Sequence, residues 1–115
     1  MKWRDLAPNE TKILRKMLSQ DFPGRNEMAS QIERAQARQI DEEGSLEFKV
    51  PPEPRIETKH RIPVEAECAD IDGVRVHFLL HVVDGRIKEL EIYKEDSSPL
   101  FSRPCPDRLE VIALT

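Results

Sequence analysis

Ile71-Asp72-Gly73-Val74-Arg75-Val76-His77-Phe78-Leu79-Leu80-His81-Val82-Val83-Asp84-Gly85 carries the same x-Asp-Gly step at both ends, twelve residues apart. Apolar and polar residues alternate between the steps, the period of a strand with one buried face. From Ile62 onward the apolar residues fall on even numbers: Ile62, Val64, Ala66 and Cys68, then Val74, Val76, Phe78, Leu80 and Val82, then Leu90 and Ile92. Even positions therefore face a core and odd positions face away from it, which predicts a three-stranded antiparallel meander. Facing residues on neighbouring strands share a face, so the numbers of each pair must sum to an even value. This parity excludes plain two-residue hairpins and predicts three-residue loops closed by a left-handed Gly, the G1 bulge, at Gly73 and Gly85. Asp70 is then expected opposite Val74, and Val82 opposite Arg86.

Upstream, the period changes. Ile13, Leu14, Met17 and Leu18 form one helical stripe, and Asn9 is a residue type that caps, so a helix is expected over about 9–20. Asp21-Phe22-Pro23-Gly24 breaks it. A second helix is expected over about 26–40, capped by Asn26, with Met28, Ile32, Ala35 and Gln39 or Ile40 inward and Glu33, Arg34 and Arg38 in water. Gly44 suits its left-handed exit. Ser45 to Val50 alternates as a strand with Leu46, Phe48 and Val50 on one side. Pro51, Pro52, Pro54 and Pro63 make 51–60 an extended loop. In the tail, 97–115, Pro99, Pro104 and Pro106 precede an apolar stretch, Leu109 to Leu114, read as a fifth strand or a cover for a sheet edge. The expected fold is α+β: two N-terminal helices packed on one face of a four- or five-stranded antiparallel meander sheet spanning about 45–94.

A chain of 115 residues suits one domain, 1–115, with a small core, since 35% of it is charged and only six side chains are aromatic. No stretch approaches the roughly 18 apolar residues of a membrane span, and Met1-Lys2-Trp3-Arg4-Asp5 lacks the apolar run of a signal peptide, so a cytoplasmic protein is expected. Cys68 and Cys105 have no metal or redox spacing and are read as reduced thiols. Residues 1–40 hold eight Lys or Arg against five Asp or Glu, +3, whereas 41–115 hold ten against seventeen, −7. An acidic half disfavours nucleic acid and favours basic partners.

No catalytic motif is present. The four glycines, at 24, 44, 73 and 85, are isolated, so no phosphate-cradling loop exists. Ser97-Ser98 and Cys105 have no base nearby in sequence, and Glu42-Glu43 and Glu95-Asp96 read as solvated charges. The outward positions are more informative. The G1-bulge register pairs Glu67 with His77 and His77 with Glu91, a Glu-His-Glu row surrounded by Glu65, Arg75, Leu79, His81, Glu89 and Tyr93. A histidine between two carboxylates is expected to hold its proton more tightly than a free one. Three readings stand: a solvated face held by cross-strand ion pairs, a recognition surface for a basic protein, and a metal or catalytic site on Glu67, His77 and Glu91. Against the last, a flat sheet supplies no cavity, and His77 and His81 lie about 13 Å apart along their strand.

Glu89-Leu90-Glu91-Ile92-Tyr93-Lys94-Glu95-Asp96-Ser97-Ser98-Pro99-Leu100 resembles the last strand of a family of small uncharacterised bacterial α+β domains, E-L-[DE]-[IL]-[WY]-[KR]-x-D-x-S-P-[IL]. The resemblance extends through the two x-Asp-Gly turns, Gly44-Ser45-Leu46-Glu47-Phe48 and the first helix, about residues 8 to 100; the tail beyond Phe101 departs from it. Proteins of this type look like immunity proteins, which bind and neutralise a cognate antibacterial toxin, here plausibly a nuclease effector. The resemblance implies a non-enzymatic binding module without cofactor or metal, a monomer or weak homodimer, whose partner is a toxin rather than nucleic acid or membrane. The expected anchors are Glu67, His77, Glu89, Glu91 and Tyr93, with Glu65 and Asp96 as rim charges. The alternatives are a small metal-dependent or enzymatic domain on Glu67, His77 and Glu91, or a homodimeric structural module.

Overall fold

The computed structural model describes residues 2–115; Met1, included in the expected span 1–115, lies outside them. Two helices, α1 (Pro8–Met17) and α2 (Arg25–Glu33), accompany seven strands: β1 (Arg4–Asp5), β2 (Gln36–Gln39), β3 (Leu46–Lys49), β4 (Val64–Ala69), β5 (Arg75–Val83), β6 (Arg86–Lys94) and β7 (Glu110–Ala113). The fold is α+β, with one antiparallel sheet in the order β1-β2-β3-β6-β5-β4-β7. The sheet is thus wider than the four or five strands expected, and only β4-β5-β6 is a meander. Both helices lie on one face, α1 against β4 and β7 and α2 against β6.

α1 begins at Pro8, not at a cap on Asn9. Pro suits the first helical position, where its missing N–H would have no partner. Glu10 accepts the Ala7 N–H at 2.8 Å and receives a two-pronged ion pair from Arg4. Gly24, in the left-handed region at φ 91°, precedes α2, where Asn26 was expected to cap.

The expected second helix over 26–40 is shorter. It stops at Glu33, and Gln36–Gln39 pairs with β3 as a strand. Ala37 is fully buried opposite Phe48, and Arg38 pairs with Glu47 at 2.6 Å while its guanidinium lies 4.6 Å above the Trp3 ring. These tertiary contacts outweigh the helix propensity of Ala-Gln-Ala-Arg-Gln.

The even-number interior is realised except at Ile62 and Val74, which are half-buried. Val64, Ala66 and Cys68, then Val76, Phe78, Leu80 and Val82, then Leu90 and Ile92 are buried with Ile13, Leu14, Met17, Met28 and Ile32. The first turn is the G1 bulge: Asp70 faces Val74, their backbones hydrogen-bond, and Gly73 has φ 84°. The second turn is not. Asp84 and Gly85 both have positive φ, 53° and 74°, which makes a two-residue turn with Val83 opposite Arg86 and Val82 opposite Ile87. Parity is recovered one step later by an extra residue in β6, Lys88, so that His81 faces Glu89, Leu79 faces Glu91 and His77 faces Tyr93. The expected pairs Val82–Arg86 and His77–Glu91 are corrected accordingly.

The tail supplies the last strand. β7 pairs with β4 along the edge, and Gln20 Nε2 donates to the outward Val111 carbonyl at 2.9 Å.

Candidate functional site

The outward residues of β4, β5, β6 and β7 form an open face that no helix covers. Its side chains stand in rows across the strands. One row is Ile112, Glu65, Leu79 and Glu91; the next is Glu110, Glu67, His77 and Tyr93. A third runs His81, Glu89, Glu47 and Arg38. Six of the seven expected contact residues therefore share this face: Glu65, Glu67, His77, Glu89, Glu91 and Tyr93. Asp96 does not sit in these rows. It lies in the turn after β6, where it accepts the Ser98 N–H and hydroxyl at 2.9 and 2.6 Å, bonds that hold its carboxyl below the usual range.

The Glu67-His77-Glu91 row is not assembled. His77 stacks on Tyr93 with ring centroids 4.9 Å apart, and it reaches Glu67 at 3.5 Å and Glu95 at 2.8 Å. Glu91 instead meets His81 Nε2 at 2.9 Å. The cause is the shifted register, which moves Tyr93 into the place expected for Glu91.

A different set converges: His81, Glu89 and Glu91 place one ligand atom each within 4.8 Å of one another. The chemistry of His81 argues against an ion there. Arg61 Nε donates to His81 Nδ1 at 3.1 Å, so Nδ1 is the acceptor and the ring proton sits on Nε2, aimed at Glu91. A metal-bound imidazole needs a bare nitrogen toward the ion and an acceptor, not a cation, behind the other. These residues form a hydrogen-bonded chain, Arg61 to His81 to Glu91, rather than a ligand set.

Most carboxylates of the face are already paired. Glu47 meets Arg38 and Lys88, and those hydrogen bonds keep its carboxyl below the usual range. Arg75 bridges Glu67 at 2.8 Å and Glu110 at 2.9 Å. Among the described residues, Glu65 and Glu89 make no side-chain ion pair or hydrogen bond, although each is only half-buried.

On the covered side, Lys94 and Asp70 were not anticipated. Lys94 Nζ lies 3.0 Å from Asp70 and 2.8 Å from Asp72, donates to the Pro99 carbonyl at 3.2 Å and sits 4.2 Å from the centre of the Phe101 ring. Asp70 also accepts the N–H groups of Ile71 and Phe101 and the Ser102 hydroxyl. Chiefly through the Phe101 N–H, these bonds hold the Asp70 carboxyl far below its ordinary range. Burial works against the Lys94 charge, but hydrogen bonds to Asp72 and Asp70 outweigh it and raise its pKa. A lysine held charged is no nucleophile or base. The network is structural: it straps residues 99–102 to the sheet. The signal was present, because 70 and 94 are both even.

A cleft of about 600 Å³ opens beside the start of α1, floored by Leu46, Leu90 and Ile92 and walled by Leu100 to Pro104. It contains no histidine or cysteine; Arg4 is held by Glu10 and the Ser102 hydroxyl by Asp70.

No helix among the described residues is long and apolar enough to cross a membrane. The chain matches no curated protein and no solved structure. Residues 3–104 match the model of a family described as a domain of unknown function, DUF6984, and with that span covering most of its length the chain belongs to this family.

Proposed function

We propose that the protein is a binding module of the immunity type, which uses its open sheet face to cover a basic surface of a cognate antibacterial toxin in the cytoplasm. The observation that carries the reading is the asymmetry of the two sheet faces. One is sealed by both helices, whereas the other presents Glu65 and Glu89 around half-buried Leu79, with exposed Tyr93 and Ile112 at its margins. Apolar anchors ringed by charge are the composition of a protein interface. The ion pairs of Arg38 with Glu47 and Arg75 with Glu67, and the hydrogen bond of His81 to Glu91, hold the surrounding side chains in place and reduce the ordering cost of association. A nuclease toxin carries positive charge for its substrate, so an acidic partner would be steered toward its groove.

Co-expression with the product of the adjacent reading frame tests this. The expected outcome is a complex that co-purifies, relief of the growth arrest that product causes alone, and affinity that falls with salt. A neighbour that is neither toxic nor bound would overturn the immunity reading.

A further inference from the structure

The pattern of engaged and free carboxylates narrows what the open face can grip, given the binding role proposed above. Glu47, Glu67, Glu91 and Glu110 would each have to surrender an existing partner to meet a basic side chain. Glu65 and Glu89 would not. Glu65 stands on β4 opposite Leu79, and Glu89 stands on β6 opposite His81. They are two strand spacings apart across the sheet and two residues apart along it, a separation of about 12 Å. Leu79 lies between them on β5, with Ile112 exposed beside Glu65.

We propose that this face recognises a protein segment with two basic side chains about 12 Å apart, one on Glu65 and one on Glu89, and an apolar side chain between them on Leu79. An extended chain meets this demand with basic residues at positions one and five and an apolar residue at three, since four residues span about 13 Å. The apolar contact displaces water and strengthens the two flanking pairs.

The test uses the full chain labelled with nitrogen-15 and a capped pentapeptide, Lys-Thr-Leu-Thr-Lys. A peptide of the same composition with adjacent lysines, Lys-Lys-Leu-Thr-Thr, serves as comparison. Saturable amide shifts centred on Glu65, Leu79 and Glu89 are expected, with millimolar affinity and weaker binding of the comparison peptide. E65Q and E89Q should each weaken binding at least about threefold with the folded spectrum retained, and E57Q on the distant loop should change nothing. Shifts centred elsewhere, equal binding of both peptides, no saturable shift up to about 10 mM, or unaltered affinity in both glutamine variants would overturn the footprint. If the neighbouring gene product binds the double variant E65Q/E89Q undiminished, the footprint fails and the immunity reading stands. If that product never binds while the pentapeptide does, the immunity reading fails and the footprint stands.

Discussion

Lys94 Nζ lies 3.0 Å from Asp70 Oδ2 with both side chains closed to solvent, joining the end of β6 to the β4–β5 turn across the inner side of the sheet. Removing either partner leaves the other charge buried with an incomplete set of bonds, the costly way to break such a pair. Lys94→Met and Asp70→Asn are each expected to lower the melting temperature by more than about 10 °C. The double variant should lose less than the sum, because its second change removes a charge that has already lost its opposite. Circular dichroism melts of the four proteins measure this, and additive losses would show the two residues to be energetically separate.

The same pair sets a pH window. The Asp70 carboxyl is depressed in the folded state, so its contribution is present above the unfolded value, about 3.9, and drains away as pH falls below it. Lys94 is shifted upward, so its contribution is present below about 10.4 and is lost as pH rises past that value. Stability contributed by the pair should therefore plateau between about pH 4 and 10. Urea unfolding of the parent chain should show the midpoint dropping below about pH 4, and Asp70→Asn should flatten that drop. An equal drop in the variant would assign the acid sensitivity elsewhere, for instance to Glu10, also depressed: burial opposes its charge, and the Arg4 and Ala7 hydrogen bonds prevail.

The alternation around the twin turns made β4, β5 and β6 legible, including which side chains enter the core. It also held information that residue type concealed. The period that puts Cys68 and Ile92 inside puts Asp70 and Lys94 inside too, and two opposite charges on one buried face amount to a predicted pair. Ile87 and Leu90, separated by two polar residues, break the alternation at the place where Lys88 is inserted. By contrast, Gln36–Gln39 has a helix-forming composition, and only its pairing with β3 and β1 makes it a strand. β1 is two residues long and carries no local signal. The candidate face was visible as a set of residues, but its contacts depended on a register that one bulge shifts.

Gln31 is a buried polar residue with a defined task. Its Oε1 accepts the Ile87 N–H at 2.9 Å, and its Nε2 donates to the carbonyls of Pro54 and Gly85 at 2.7 and 2.9 Å. Gly85 O has a second donor, the Ile56 N–H. Gln31→Leu keeps the volume and removes all three bonds. A loss of roughly 2–4 kcal/mol is expected in denaturant titration. A loss under about 0.5 kcal/mol would mean that water reaches the junction.

Gly24 combines two constraints. Its φ of 91° is costly for any residue with a side chain, and a Cβ there would stand 2.6 Å from Ile56 Cγ2 and 3.2 Å from the Glu57 carbonyl. Gly24→Ala should destabilise by roughly 2–4 kcal/mol, part from the backbone and part from displacing the loop against α2. Gly73 has a similar φ with open space around it, so Gly73→Ala should lose only the backbone part, about 1–2 kcal/mol. Equal losses at the two sites would show that the loop yields freely.

Cys68 and Cys105 differ in access. Cys68 is buried on β4, and that burial, with the nearby Asp70 carboxylate adding to it, raises its thiol pKa; Cys105 is exposed before the short 3-10 turn Pro106–Arg108. The thiolate is the reactive form, so the native chain near pH 8 should release one equivalent of thionitrobenzoate quickly from an aromatic disulfide reagent. Cys105→Ser should remove that fast phase. The second equivalent requires β7 and Leu109 to leave β4, because Leu109 is buried next to the strand end that holds Cys68. Its rate should therefore follow opening of the sheet edge and rise with sub-denaturing urea. Gln20→Ala, which removes the bond to the Val111 carbonyl, should accelerate this slow phase and leave the fast one unchanged. A slow phase indifferent to both urea and Gln20 would mean that Cys68 is reached from another side of the core.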